Sequence, residues 1–311
     1  MMSMTDLVSQ TLNTMQQQLQ QQDLPNGALY IVATPIGNMA DISFRAVHVL
    51  NHVDGIACED TRHTAPLLSS LGIHKPLLAL HEHNEREAAE KLAAYLKEGQ
   101  RWAYVSDAGT PGISDPGARL VDACIAHGLR VIPIPGASAL TSIASIAGSA
   151  INNSNGEFQF LGFFPSKTKE QKEFIHHLNT APIASVFYES PHRITATLNT
   201  LIESISDQNR KVVIGRELTK KFETIEYLKV HEIAAWLEKK PNLRGEFAII
   251  VGPSIQDTPS NLQTTFNALE LIKALEPHMG SKQIAEVLNQ VADISKKDAY
   301  QLALDNKKPA A

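Results

Sequence analysis

From position 28 onward, apolar residues come in short runs, and between the runs they recur every three or four residues. Short apolar runs bounded by turn residues read as buried strands, and the longer spacing reads as amphipathic helix. The pattern predicts strands at 28–33, 55–58, 103–105 and 130–134. Helices are predicted at 42–50, 62–71, 84–99, 116–127 and 139–148, with Gly72, Gly99 and Gly128 as stops. Asn84-x-x-Glu87 resembles a capping box, and Pro116 opens the helix that it begins. Strands alternating with helices imply a mainly parallel sheet covered on both faces.

An Asn-, Ser- and Gly-rich stretch at 151–157 marks a junction. Beyond it, strands are predicted at 158–164, 185–189, 211–218, 224–230 and 246–251, and helices at 168–178, 193–205 and 232–238. Two consecutive strands within 211–230 imply a mixed sheet. Residues 253–262 read as a linker. Helices at 266–275 and 282–291, and a third opened by Ser295-x-x-Asp298, form a helix-turn-helix-like module. The expected organisation is a disordered Gln-rich tail or frayed helix (1–26), an N-terminal α/β lobe (27–150), a second α/β lobe (151–252), and the linker with its helical module (253–311).

Composition narrows the class. A chain of 311 residues with 43% hydrophobic and 20% charged content is ordinary for a globular protein. A formal charge of -5 carries no global nucleic-acid signature. The helical module, with six Lys and Arg against seven Asp and Glu, offers no basic face for DNA. Segment 165–221 has nine Lys and Arg against six Asp and Glu, a local enrichment that favours phosphate contact. Cys58 and Cys124 fall on apolar positions, so buried thiols are expected, with no disulfide framework. No metal site is expected: His81 and His83 flank Glu82, but no further ligands stand at suitable spacing, and a strand-end rim is the reading. No secretory or membrane-spanning segment is evident, so a cytoplasmic protein is expected.

The chemistry gathers at strand ends. Ser106-Asp107-Ala108-Gly109-Thr110-Pro111-Gly112-Ile113-Ser114-Asp115-Pro116-Gly117 follows an apolar strand with more glycine, proline and aspartate than a tight connection needs. In open α/β sheets ligands bind beyond the carboxyl ends of strands, so this reads as a ligand loop. No G-x-G-x-x-G follows any predicted strand, which disfavours a nicotinamide dehydrogenase. Phe158, Phe160, Phe163 and Phe164 surround a strand and read as core.

Six segments stand in register with one family: residues 30–38 (Tyr-Ile-Val-Ala-Thr-Pro-Ile-Gly-Asn), 59–64 (Glu-Asp-Thr-Arg-His-Thr), 106–111, 188–193 (Tyr-Glu-Ser-Pro-His-Arg), 215–220 (Gly-Arg-Glu-Leu-Thr-Lys) and 244–246 (Arg-Gly-Glu). Together they resemble the small-subunit ribosomal RNA 2′-O-methyltransferase I family of the tetrapyrrole methylase superfamily, over about 28–252. The Gln-rich head and residues 150–156 depart from that pattern. The resemblance implies a two-lobed α/β methyltransferase, a homodimer, holding S-adenosylmethionine between its lobes. It implies methylation of the ribose 2′-hydroxyl of a cytidine in the decoding region of 16S ribosomal RNA in the small subunit. A tetrapyrrole or other small-molecule methylase of the same fold is the alternative, and a DNA-reading regulator a more distant one.

The resemblance places cofactor contacts at Pro35, Ser106, Asp107, Ala108, Gly109, Thr110, Ile113, Ser138 and Ala139, and from the second lobe at Tyr188, Glu217, Gly245 and Glu246. Glu59, Asp60 and His63 are the candidates for accepting the ribose hydroxyl proton, with no choice made among them. Arg62, His192, Arg193, Arg216, Lys220 and Lys221 are the expected RNA contacts.

Overall fold

Runs such as Ala28–Val32 and Gly55–Cys58 carry no charge and are mostly apolar, so they can be buried on both faces at once. In the computed structural model of the chain both are buried, with only Ile31 partly exposed. The structure describes residues 3–254 (except 82, 83, 153, 154 and 240) and 268–305 (except 277 and 292–294). Glu82 and His83 of the expected rim, and residues 255–262 of the linker, lie outside the described residues.

Helix α1 (Met4–Gln20) comes first, the helical one of the two forms expected for this stretch. Glutamine is a good helix former, and Ser3 and Asp6 close a capping box at its start. There follow β1 (Ala28–Val32), α2 (Phe44–His52), β2 (Gly55–Cys58), α3 (Thr61–Ser70), β3 (Leu77–Ala79), α4 (Glu85–Lys97), β4 (Trp102–Val105), α5 (Ala118–Ala126), β5 (Arg130–Ile134), α6 (Ala139–Ser145) and α7 (Ser149–Asn152). The five strands form a parallel sheet in the order β3-β2-β4-β1-β5. Parallel pairing makes the loops after β1, β2, β4 and β5 leave from one edge.

Three local expectations change. Strand β3 was not anticipated: it has three residues, and its pairing of Leu77 with Ile56 is what makes it a strand. The capping box at Asn84 does not form. Its side chain turns back to accept from the His81 N–H (2.9 Å) and donate to the Ala79 carbonyl (3.0 Å). Helix α5 begins at Ala118 rather than Pro116, because Gly117 stands just before it at φ 126.

The second half contains β6 (Phe158–Phe163), α8 (Thr168–Thr180), β7 (Ala184–Glu189), α9 (Ile194–Ser204), β8 (Lys211–Arg216), β9 (Thr224–Lys229), α10 (Ile233–Glu238) and β10 (Phe247–Val251). Its sheet runs β6-β7-β10-β8-β9, with only β6 and β7 parallel, so it is mixed as expected. All five residues of the central β10 are buried. Helices α6 and α7 of the first half pack on this sheet. Ile143, Ala147 and Ile151 join Val186, Val213 and Ile250 in one core cluster. Phe164 and Phe187 lie in a second core, on α8 and α9, but Phe158 and Phe163 do not follow the core reading and are exposed.

Both sheets belong to one compact unit that ends at Ile255, and a second unit begins at Gln256. Within the latter, α11 (Ala268–Leu275), α12 (Ser281–Val291) and α13 (Lys296–Asp305) close over Ile272, Ile284, Leu288 and Ala299.

Candidate functional site

Thr34, just past β1, and Gly109 exchange two backbone hydrogen bonds, Thr34 N–H to Gly109 O at 2.8 Å and Gly109 N–H to Thr34 O at 3.1 Å. The Thr110 hydroxyl donates to the Ala137 carbonyl at 3.0 Å. Three strand-end loops are thereby stitched into one wall. Gly109 sits at φ 82, a left-handed conformation that favours glycine, and a β-carbon there would come within 3.1 Å of Ile36. Ser114, at φ 112, is a non-glycine residue in that region, local strain of the kind that collects at functional loops.

The far end of the loop is anchored from another helix. Gly117 has no side chain with which to cap α5, and Glu85 supplies the missing acceptor. Its carboxylate receives the Gly117 N–H (3.0 Å) and the Arg119 N–H (3.1 Å). No motif links residues 32 positions apart, so this partnership was invisible in the sequence.

Facing the wall is the corresponding edge of the second sheet. Together they enclose a cleft of about 410 Å³, a size typical of small-molecule sites. Tyr188 stands in it with Phe160 and Phe163 edge-on at 4.9 and 5.5 Å. Burial pushes the Tyr188 phenol up to about 12, against a hydrogen bond with the Leu140 backbone.

Six carboxylates line the cleft (Glu59, Asp107, Asp115, Glu189, Glu217 and Glu246) against one ammonium, Lys220. Glu189 is spent on structure: buried, it binds the Arg193 guanidinium and the Thr197 hydroxyl. Burial raises the Glu59 carboxyl, and the neighbouring charges of Asp107 and Asp115 raise it further. Burial likewise raises Asp115, against a hydrogen bond with Ser106. Burial alone would raise Glu217, but Lys220 and the Glu246 N–H hold it below its ordinary value. Lys220 reaches Glu217 at 2.8 Å and Glu246 at 2.9 Å. A cleft so charged favours a cationic ligand and disfavours a phosphate chain inside it.

Of the expected cofactor contacts, Asp107, Ala108, Gly109, Thr110, Ile113, Ser138, Ala139, Tyr188, Glu217 and Glu246 line the cleft. Pro35, Ser106 and Gly245 stand outside the lining. Gly245 is at φ 98, and a β-carbon there would lie 2.4 Å from the Glu217 side chain. The sequence reading missed Phe163, Ser190, Leu218 and Phe247 in the lining. The signal for Phe163 was its place at a strand end, which outweighs its apolarity.

The proton-acceptor candidates separate. Asp60 caps α3 and grips Arg62 through both oxygens, which holds its carboxyl well below the usual range and makes it a poor base. His63 Nδ1 lies 2.8 Å from Asp107 Oδ2, a pairing that raises the imidazole. Glu59 alone of the three lines the cleft.

The expected RNA contacts separate as well. Arg216 is buried and cannot touch RNA: its guanidinium donates to Phe222 O (2.6 Å), Arg244 O (2.9 Å) and Thr224 Oγ1 (3.1 Å). Arg193 is committed to Glu189 and to the Phe164 carbonyl. Lys220 belongs to the cleft. Arg62, His192 and Lys221 are exposed, although Arg62 is tethered by Asp60. Among the described residues no group of His, Cys, Asp and Glu could hold a metal ion, and no helix is long and apolar enough to cross a membrane.

Residues 28–234 match the family model for tetrapyrrole (corrin/porphyrin) methylases. The chain is 42% identical to the ribosomal RNA small subunit methyltransferase I of Escherichia coli O157:H7, over 93% of this chain and 98% of that one. Among solved structures, the methyltransferase CobJ superposes with a TM-score of 0.54 at 18% identity, over 73% of this chain and 95% of that one. A uroporphyrin-III C-methyltransferase from Thermus thermophilus, complexed with S-adenosyl homocysteine, gives 0.50 at 15% identity, over 72% and 97%. These two likenesses concern the fold.

Proposed function

The chain belongs to the ribosomal RNA small subunit methyltransferase I family, within the tetrapyrrole methylases, and from that premise we propose what its cleft does. It methylates the ribose 2′-hydroxyl of a cytidine in the decoding region of 16S ribosomal RNA, with S-adenosylmethionine as methyl donor. The observation that carries this reading is the charge of the cleft: with Glu189 paired to Arg193, five carboxylates remain against one ammonium. That field suits a sulfonium and repels phosphate, so the RNA backbone stays on the rim and only the target ribose enters. When bound, S-adenosylmethionine supplies a methyl group already activated by positively charged sulfur.

The chain's own residues supply position and a proton route. The loops stitched at Thr34–Gly109 and Thr110–Ala137 form a wall held by its own hydrogen bonds. Tyr188 and Phe163 offer aromatic surface on the opposite side. Glu59, in the lining and raised above its ordinary value by burial and neighbouring carboxylates, accepts the ribose hydroxyl proton. His63 is held beside it by Asp107. Arg62, His192 and Lys221 meet phosphates outside. The working form is a cytoplasmic homodimer, which sedimentation of the purified protein would check.

The test is transfer of labelled methyl from S-adenosylmethionine to small ribosomal subunits lacking the modification, followed by nuclease mapping. Label on the ribose 2′-oxygen of one decoding-region cytidine is the expected result. Label on an added porphyrinoid, with none on RNA, would replace this reading with small-molecule methylation.

A further inference from the structure

We infer that the turn between β8 and β9 is a nucleobase-stacking platform, with Phe222 as its ring and Lys221 and Arg244 as flanking phosphate contacts. The inference rests on the RNA substrate proposed above and names the surface that takes the single strand beside the target nucleotide.

Phe222 is the most exposed large apolar side chain among the described residues, at 64%. Burying such a ring would be worth about 2 kcal/mol, and here that gain is forgone. The turn is nevertheless rigid. Arg216 holds the Phe222 carbonyl (2.6 Å) and Thr224 Oγ1 (3.1 Å), closing the turn from inside. Glu223 Oε2 accepts the Thr219 N–H at 2.6 Å, and the Glu223 N–H donates to the Lys220 carbonyl at 3.0 Å. Glu217 (φ 51) and Thr219 (φ 69) are both non-glycine residues in left-handed backbone, a shape that costs free energy and is kept only where surroundings enforce it. A costly, fixed turn presents an aromatic face to solvent.

The charges around the ring agree. Lys221 Nζ lies 5.4 Å from the Phe222 centroid, so one cation is already attached to the platform. The same Arg216 guanidinium binds the Arg244 carbonyl at 2.9 Å, which fastens the loop bearing Arg244 to the turn. Arg244 and Lys221 are both exposed. Lys220, two residues from Phe222 and thus within about 7 Å of chain, lines the cleft. A π-face flanked by cations at the mouth of a methylation cleft is the chemistry of single-stranded nucleic-acid binding. Bases within an A-form duplex are stacked on one another and would not offer a free face.

The test uses the full-length protein, a short unstructured oligocytidylate as RNA probe, and small subunits lacking the modification. Phe222→Ala raises the oligocytidylate Kd and the subunit KM about tenfold. Phe222→Trp preserves both, and its added emission is quenched by the probe. Lys221→Ala and Arg244→Ala each lower the salt dependence of RNA binding by about one counterion. S-adenosylmethionine affinity, measured by calorimetry, stays at the wild-type value in Phe222→Ala. Wild-type RNA affinity in Phe222→Ala, with wild-type protein still methylating RNA, overturns the platform and leaves the function standing. A change in sedimentation alone shows that Phe222 serves a second copy of the chain, and also overturns it. Wild-type protein that neither binds the probe nor labels subunits removes the RNA reading itself, and the platform with it.

Discussion

Gly37 and Lys220 meet across the cleft: a β-carbon on Gly37 would lie 2.2 Å from Lys220 Cγ. Gly37 follows β1 of the first sheet, and Lys220 follows β8 of the second. The lysine can bridge Glu217 and Glu246 only because nothing projects from position 37.

Gly37→Ala therefore acts on the proposed cofactor site through a residue it does not replace. The added methyl displaces Lys220, and φ 147 is itself unfavourable for alanine. Strain of this kind costs about 1–3 kcal/mol, so the S-adenosylmethionine Kd should rise about tenfold by calorimetry. An unchanged Kd would show that Lys220 moves aside freely.

Asp107→Asn should lower two titrations at once. His63 is raised by its hydrogen bond and charge pairing with Asp107, so losing the charge lets the imidazole fall. Glu59 is raised by burial and then by the like charge of Asp107, so it falls as well. The His63 pairing favours the folded state fully below the ordinary histidine pKa, near 6.5, and that contribution fades as pH rises through the raised value. Proton NMR of His63, with the acidic limb of the pH–rate profile for Glu59, reads both. An acidic limb that stays in place would remove Glu59 as the proton acceptor.

Glu85→Ala should loosen the ligand loop from a distance. It strips the start of α5 of the acceptor for the Gly117 and Arg119 N–H groups. The loss should be about 1–2 kcal/mol in urea unfolding, smaller in Glu85→Gln, which keeps an acceptor oxygen. Equal losses in the two variants would mean that charge at the helix terminus, and not the acceptor, is what matters.

Arg216→Lys should separate a clasp from a contact. An ammonium cannot reproduce a guanidinium fork that reaches three acceptors on two loops. Stability should fall by about 1–3 kcal/mol, and RNA affinity with it, while the salt dependence of the remaining binding keeps its wild-type slope. In Arg216→Ala, where the charge itself is lost, a slope reduced by about one would put Arg216 on phosphate after all.

Much of this protein was legible along the chain. Gly55–Cys58 and Arg130–Ile134 have their expected bounds, and the 106–117 loop proves to be a wall of the cleft. Apolar runs, glycine stops and strand-end loops are local matters of periodicity and backbone freedom, and so a sequence determines them unaided. What each polar side chain does was decided elsewhere. Asp60 and Asp107 read alike as acidic loop residues, yet one grips Arg62 two positions on and the other holds His63 from 44 positions away. Arg216 and Lys221 read alike as basic strand-end residues, yet one is buried with its donors spent and the other faces solvent. Phe163 and Phe222 are both apolar and exposed, one at the end of β6 in the cleft lining and the other in the turn between β8 and β9, which no apolar pattern records. The physical reason is common to all three: a charge or ring takes its role from the partners and solvent that packing brings to it, and partners such as His63 for Asp107 or Arg244 for Arg216 come from segments distant along the chain.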